Sequence, residues 1–219
     1  MKINNKSISS YHASIVSFDV KTMGIDNHIL LLESGYQPVS REQKLSAQER
    51  DLIIDFTSEQ DISDFTVNCS GESLLDIDDG YEYVCFLKSA PSITTEGIHA
   101  FTASFPMYVI KRKPMIICNG NLPFHVEGNI WAPCVLELRA SSNLAEFTID
   151  DYKIKNIKAN EVFVIDGIRK IIYRSSKPDL SAFDDTNLKV FPKLYPGNKQ
   201  FQLSDSSVVV VCKYNPTYM

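Results

Sequence analysis

The sequence contains no apolar run approaching the ~20 residues that a helix needs to cross a bilayer. Its start, Met1-Lys-Ile-Asn-Asn-Lys-Ser7, has no signal-peptide h-region. No membrane insertion is expected, and the chain reads as made and kept in a cytoplasm unless carried out inside a larger object. Positive charge is also short. Against 27 Asp and Glu stand 22 Lys and Arg, a net charge of -5, which argues against a phosphate backbone as the main partner. The one basic cluster, Lys111-Arg-Lys113, is followed by Pro114 and reads as a solvated linker.

Residues that carry chemistry are sparse or scattered. His12, His28, His99 and His125 form no HExxH or HxH arrangement, so a metal site has little support. Cys69, Cys85, Cys118, Cys134 and Cys212 are odd in number and widely spaced, without a CxxC knuckle. Four lie in apolar stretches and read as small buried hydrophobes in a reducing compartment. There is no GxSxG elbow, no Walker glycine loop and no GxGxxG after a strand, which removes the common hydrolase and nucleotide-binding classes and any cofactor they imply. Asp150-Asp151 and Asp184-Asp185 are adjacent pairs, and neighbours in a strand point to opposite faces. A glycosidase, whose two carboxyls need only converge in space, stays open on residues alone; without a motif the chain is not expected to be an enzyme.

What is present is short, β-prone segments separated by turns. With 44% hydrophobic residues and a mean hydropathy of -0.11, 219 residues can form one large β domain or two smaller ones. Residues 1 to 33 fit short strands, with alternation over Ser14–Val20. Gly35-Tyr-Gln-Pro-Val-Ser40 breaks the pattern, and Arg41–Arg50 is polar enough for a helix or a long exposed loop. Asp51–Phe56 reads as a strand. Ser58 then precedes the best helix in the chain, Glu59–Cys69, with Asp61 in its first turn and Ile62, Phe65 and Cys69 on one apolar stripe. Leu74–Ile77 and Tyr81–Leu87 are strands joined through Asp78-Asp-Gly80. The Asp76–Gly80 run misses calcium-loop spacing and reads as a tight turn. Ala100–Ile110 is a strand in which Pro106 favours an edge or a bulge.

Charge and proline at Lys111–Met115 mark a domain boundary. Beyond it, Met115–Cys118, His125–Glu127, Cys134–Leu138, Glu146–Ile149 and Tyr152–Ile154 recur at the spacing of an all-β domain. Glu161–Ile165 and Ile168–Tyr173 flank Asp166-Gly167, the signature of a two-residue type I′ hairpin. Phe191-Pro-Lys-Leu-Tyr-Pro-Gly-Asn198 turns through Pro196-Gly197 into a strand at Lys199–Leu203. Val208–Val211 is apolar enough to be buried on both faces, and the chain runs out through Tyr214-Asn-Pro-Thr-Tyr218.

This order of parts resembles the C-terminal domain of siphophage distal tail proteins, in which an IDG hairpin, an FPxLxPGxN turn and a valine-rich strand ending in YxPxY follow one another. Here they are Ile165-Asp-Gly167, Phe191–Asn198 and Val208–Tyr218. The Leu75–Leu87 and Phe101–Ile110 segments look like the last part of the family's N-terminal domain, so the resemblance covers most of the chain. It implies a mainly β protein of two β-sandwich domains: residues 1–113, ring-forming with a single packed helix, and residues 114–219, galectin-like. It further implies a hexameric ring of the protein with itself at the virion tail tip, assembled in the host cytoplasm. Its partners would be the tail tube protein, the tail tip or tail-associated lysin, and receptor-binding proteins. DNA would pass through the channel without specific binding. Within that frame Arg41–Arg50 is a subunit-contact candidate. A competing reading is a carbohydrate-binding module recognising host cell-wall polysaccharide; Trp131, between turn residues in Gly128–Pro133, is then the aromatic on which a sugar would stack.

Overall fold

From Phe101 to Val109 every second residue is buried and those between are not, the period of a strand with one face on a core. The same logic runs through the whole chain. The computed structural model describes residues 1–22, 25–30, 39–45 and 47–218, with side chains described outside 22–46. The chain divides into two mainly β units, Met1–Arg112 with Tyr218–Met219, and Lys113–Thr217.

The first unit contains β1 (Lys2–Ile3), β2 (Lys6–Ser7), β3 (Ala13–Thr22), β4 (Ile25–Leu30), β5 (Val39–Leu45), β6 (Gln48–Phe56), β7 (Ser73–Asp76), β8 (Glu82–Leu87), β9 (Ser92–Gly97) and β10 (Ala100–Arg112). Its main sheet has the order β2-β1-β7-β8-β10-β6-β3, with β9 also paired to β10. The helix is α1 (Glu59–Asn68). Ser58 caps it: its hydroxyl accepts from the Asp61 N–H at 3.2 Å and donates to the Asp61 carboxylate at 2.6 Å. Ile62, Phe65 and Cys69 are buried as the stripe predicts. Phe65 sits in an aromatic cluster, 4.9 Å from Phe105, 5.7 Å from Phe56 and 5.4 Å from Tyr11 between ring centres, edge-to-face arrangements that add to area burial.

The second unit contains β11 (Ile116–Asn119), β12 (Phe124–Val126), β13 (Ala132–Arg139), β14 (Leu144–Ile149), β15 (Tyr152–Ile157), β16 (Val162–Asp166), β17 (Ile171–Arg174), β18 (Lys177–Ser181), β19 (Lys193–Leu194), β20 (Gly197–Lys199) and β21 (Val209–Tyr214). Tyr218, in the final strand β22 (Thr217–Tyr218), belongs to the first unit. The main sheet runs β11-β21-β13-β16-β17-β18, and β12–β20 and β14–β15 are separate ribbons. Phe147, Ile149, Ile154 and Ile157 of β14–β15 share one core with Leu136, Phe163, Ile165 and Cys212 of the main sheet. That arrangement makes the unit a sandwich.

Several local expectations are corrected. In the charged stretch Arg41–Arg50, where a helix or a loop is expected, Ser46 lies outside the described residues, Arg41–Leu45 belongs to β5 and Gln48–Arg50 to β6. Arg50 is held there by packing, its guanidinium 4.8 Å from the Phe18 ring and 5.1 Å from Tyr83 while it donates to Gln48. Of Gly35–Ser40, residues 35–38 lie outside the described residues. Pro106 is in the middle of a sheet, not at its edge. On one side of β10, β9 ends at Ser104 and β8 begins at Met107. The Pro106 carbonyl points to that seam, accepting from Lys88 at 2.9 Å. A strand residue's N and C=O face the same neighbour, so the missing N–H falls where the ladder changes partner.

The β16–β17 hairpin forms, but its turn has four residues, since Asp166 pairs with Ile171. Lys170, at φ 61, takes the left-handed position. The Asp166 carboxylate accepts from the N–H groups of Ile168 and Arg169 at 2.9 and 2.8 Å, an Asx turn that outcompetes the two-residue form. Gly167 is required by close approach: an added Cβ would lie 2.5 Å from the Cys134 carbonyl oxygen and 2.8 Å from that of Pro192. The strand expected at Lys199–Leu203 stops at Lys199, and Leu203 makes only an isolated bridge to Ile149. Val208–Val211 is not buried on both faces, because Val209 is 54% exposed. Lys111-Arg-Lys113 is no free linker: Lys111 lies 3.8 Å over the Tyr81 ring, Arg112 pairs with Glu82 and Lys113 with Glu127.

Candidate assembly surfaces

Strand β10 is paired along one side to β6, from Phe101 opposite Phe56 to Val109 opposite Gln48. In the half where β9 lies on its other side, the local order is β9-β10-β6-β3. Among the described pairings β9 and β3 each have one partner. All three pairings are antiparallel, so β3 and β9 run in opposite directions. An unpaired edge presents a row of N–H and C=O groups ready to accept another strand. All six residues of β9 are exposed, and β3 carries the exposed Val16 and Val20 beside bulges at Ile15/Ser17 and Val20/Thr22. From the same unit, β4 and β5 pair with each other from Ile25 opposite Leu45 to Leu30 opposite Val39. They form a two-stranded ribbon of the kind that needs a neighbour for stability.

Many polar side chains gathered in grooves are engaged within the fold. A groove of about 310 Å³ in the second unit contains Arg174, Glu161 and Asp185. Arg174 donates to Glu161 at 3.1 Å, to Asp185 at 2.8 Å and to the Lys155 carbonyl at 3.2 Å, with its carbon face 5.0 Å from the Phe163 ring. Ser176 also donates to Glu161 and Asn156 to Asp185. Burial raises the Glu161 pKa, but the hydrogen bonds from Ser176 and Arg174 and the guanidinium charge prevail and leave it lowered. Asp185 is lowered chiefly by the Arg174 hydrogen bond. With both ends of the guanidinium engaged, this is a clamp tying β17 to the Phe183–Asp185 turn and the start of β16.

A second groove, about 480 Å³, is lined by His12, His99, Asp55 and Glu96 in the first unit. Asp55 accepts from Thr102 at 2.6 Å, and His12 lies 3.4 Å from Asp61. Among the described residues no three His, Cys, Asp or Glu gather as metal ligands. The Asp76–Gly80 run is a turn whose carboxylates are used locally: Asp76 accepts from Asp78 N–H and Asp79 from Tyr81 N–H and the Tyr83 hydroxyl. All five cysteines are free thiols, four of them buried. Burial pushes Cys69 and Cys85 up to about 12. Among the described residues no helix is long and apolar enough to cross a membrane.

Trp131, the sequence-predicted carbohydrate contact, is half-buried, and the Lys193 ammonium lies 4.1 Å over its ring. One face of the ring is therefore covered by a cation. Lys193 is set there because β19 pairs with β13, placing Lys193 opposite Pro133. Sequence reading missed the residues around Trp131. Their signal is the alternation in Phe191–Tyr195, where Pro192 and Leu194 are buried and Phe191, Lys193 and Tyr195 are not.

No family model matches the chain, and no curated protein matches it in sequence. Solved structures do. The Dit protein (gp 19.1) of phage SPP1, described as a paradigm of the hub adsorption apparatus in phages infecting Gram-positive bacteria, aligns at a TM-score of 0.76 and 10% identity, over 99% of this chain and 98% of that one. A chain of the phage p2 baseplate in its activated conformation, determined with Sr, aligns over 92% of this chain and 90% of its own at 8% identity and a TM-score of 0.49. In its fold, from the first strand to the last, the chain is a counterpart of the SPP1 Dit protein.

Proposed function

We propose that this protein is a distal tail protein of a phage or tail-like particle. It closes into a hexameric ring through its first unit, residues 1–113, and connects the tail tube to the tip. The second unit, residues 114–219, is galectin-like and holds adsorption components. The observation that carries this reading is the fold match with the SPP1 hub protein over nearly the whole of both chains. The open edges supply a means. Where β9-β10-β6-β3 repeats around a rotation axis, the β9 of each copy meets the β3 of the next with strand direction still alternating. Each ring contact is then heterologous, and it closes if the rotation is right. The β4–β5 ribbon is a second subunit contact. The work is interface complementarity, with no transition state to stabilise, and a net charge of -5 suits a channel that lets DNA pass without holding it.

Size-exclusion chromatography with light scattering over a concentration series, alone and with tail tubes, tests this. The expected species has six times the 24.7 kDa of one chain. A chain that stays monomeric at every concentration and on tube ends, while binding cell-wall polysaccharide, would overturn the ring in favour of the sugar-binding module.

A further inference from the structure

On the outward side of Phe191–Tyr195 two lysines rest on rings, Lys193 over Trp131 at 4.1 Å and Lys170 over Phe191 at 5.2 Å, as Lys111 does over Tyr81 and Lys6 over Tyr11 in the first unit. Several other lysines rest against carboxylates: Lys21 on Asp51, Lys88 on Glu49, Lys199 on Asp150 and Lys213 on Glu137, all within 2.8 Å. Neither Lys170 nor Lys193 has a carboxylate at ion-pair distance among the described residues. Asp166 and Asp185, close by in the chain, are taken by the turn amides and by Arg174. Phe183 lies 6.4 Å from Phe191 between ring centres, Phe191, Lys193 and Tyr195 alternate with the buried Pro192 and Leu194, and Phe183 and Tyr195 are 45% and 69% exposed. Exposed aromatics interleaved with unneutralised ammonium groups, on a chain that is acidic overall, complement a partner rich in carboxylates and rings.

We infer that this surface docks an acidic, aromatic-bearing segment of another protein. Carboxylates draw Lys170 and Lys193 into ion pairs at the rim while rings of the partner pack on Trp131, Phe191 and Tyr195. A protein segment fits better than a polysaccharide, because a sugar stacking on the covered face of Trp131 would have to displace Lys193 without offering the charge to compensate. Read with the function proposed above, the segment belongs to a neighbouring tail component. Docking is measured separately from ring mass, so either can fail without the other.

Trp131 is the only tryptophan, and its fluorescence reports on the surface directly. Full-length protein is titrated with a random glutamate–tyrosine copolymer and, in parallel, with polygalacturonate, exciting tryptophan alone. The copolymer should shift Trp131 emission, and its affinity should fall about tenfold in K170E/K193E and with added salt. K2E/K6E in the first unit, with the same net charge change, should bind within about twofold of wild type. If K170E/K193E does not fold by circular dichroism, K170A/K193A replaces it, with an expected loss of about threefold. Unchanged binding in the lysine variant, equal loss in K2E/K6E, tighter binding of polygalacturonate, or no response to the copolymer would each overturn the inference.

Discussion

Gly167 shows how one residue can be fixed by its neighbours' backbone with no help from its own φ. Two carbonyl oxygens stand where a side chain would begin, and one of them, on Cys134, accepts the Gly167 N–H at 2.9 Å. Gly167→Ala should therefore cost about 3 kcal/mol and lower the melting temperature by roughly 10 °C, measurable by calorimetry. A melt unchanged within a degree or two would mean that the turn relaxes freely. The Arg174 clamp predicts an acid dependence. Glu161 and Asp185 have lowered pKa values in the folded chain. Their contribution is fully present above the unfolded carboxylate values of about 4 and is lost as pH falls through the lowered folded values. Arg174→Met leaves Glu161 buried without its cation and should cost about 2 kcal/mol at neutral pH. Urea titrations between pH 7 and pH 3 should show a shallower acid slope for this variant, and parallel slopes would remove the clamp from the account.

At the scale of elements, the sheet edges make a sharper prediction than total mass. Lysines on an edge strand discourage pairing without disturbing the fold. V16K/V20K on β3 and I93K/T95K on β9 should each abolish rings while leaving circular dichroism unchanged. Mixed together, they retain one intact β3-to-β9 contact per pair, so dimers form and rings do not; rings recovered on mixing would show that the contact lies elsewhere. Period was the reliable guide to these elements: the alternation in β10 and the cap and stripe of α1 were legible because a helix or strand repeats its own signal. Arg41–Arg50 misled because charge suggests exposure, whereas Arg50 lies flat over Phe18 and Tyr83 in a strand. Pro106 misled because where a partner strand ends is decided at Leu87 and Ser92, far from the proline in sequence.

For the whole molecule, the order of turn motifs carried more than any single residue, since sequence identity to the SPP1 protein is only 10% although the fold is shared over nearly all of both chains. The candidate surfaces were harder to read. Trp131 stood out by rarity, but the lysine above it comes from a strand sixty residues later, and an unpaired strand edge has no composition of its own. One practical consequence follows from the thiols. Four of the five are sealed in the two cores and the fifth, Cys118, is half-buried with its pKa raised by burial and by Cys212, so native sulfur is poorly placed to react with maleimides. A cysteine engineered onto an open strand would be a nearly exclusive attachment point for dyes or gold, and distances between copies in an assembled particle could be read without first stripping the wild-type sequence of sulfur.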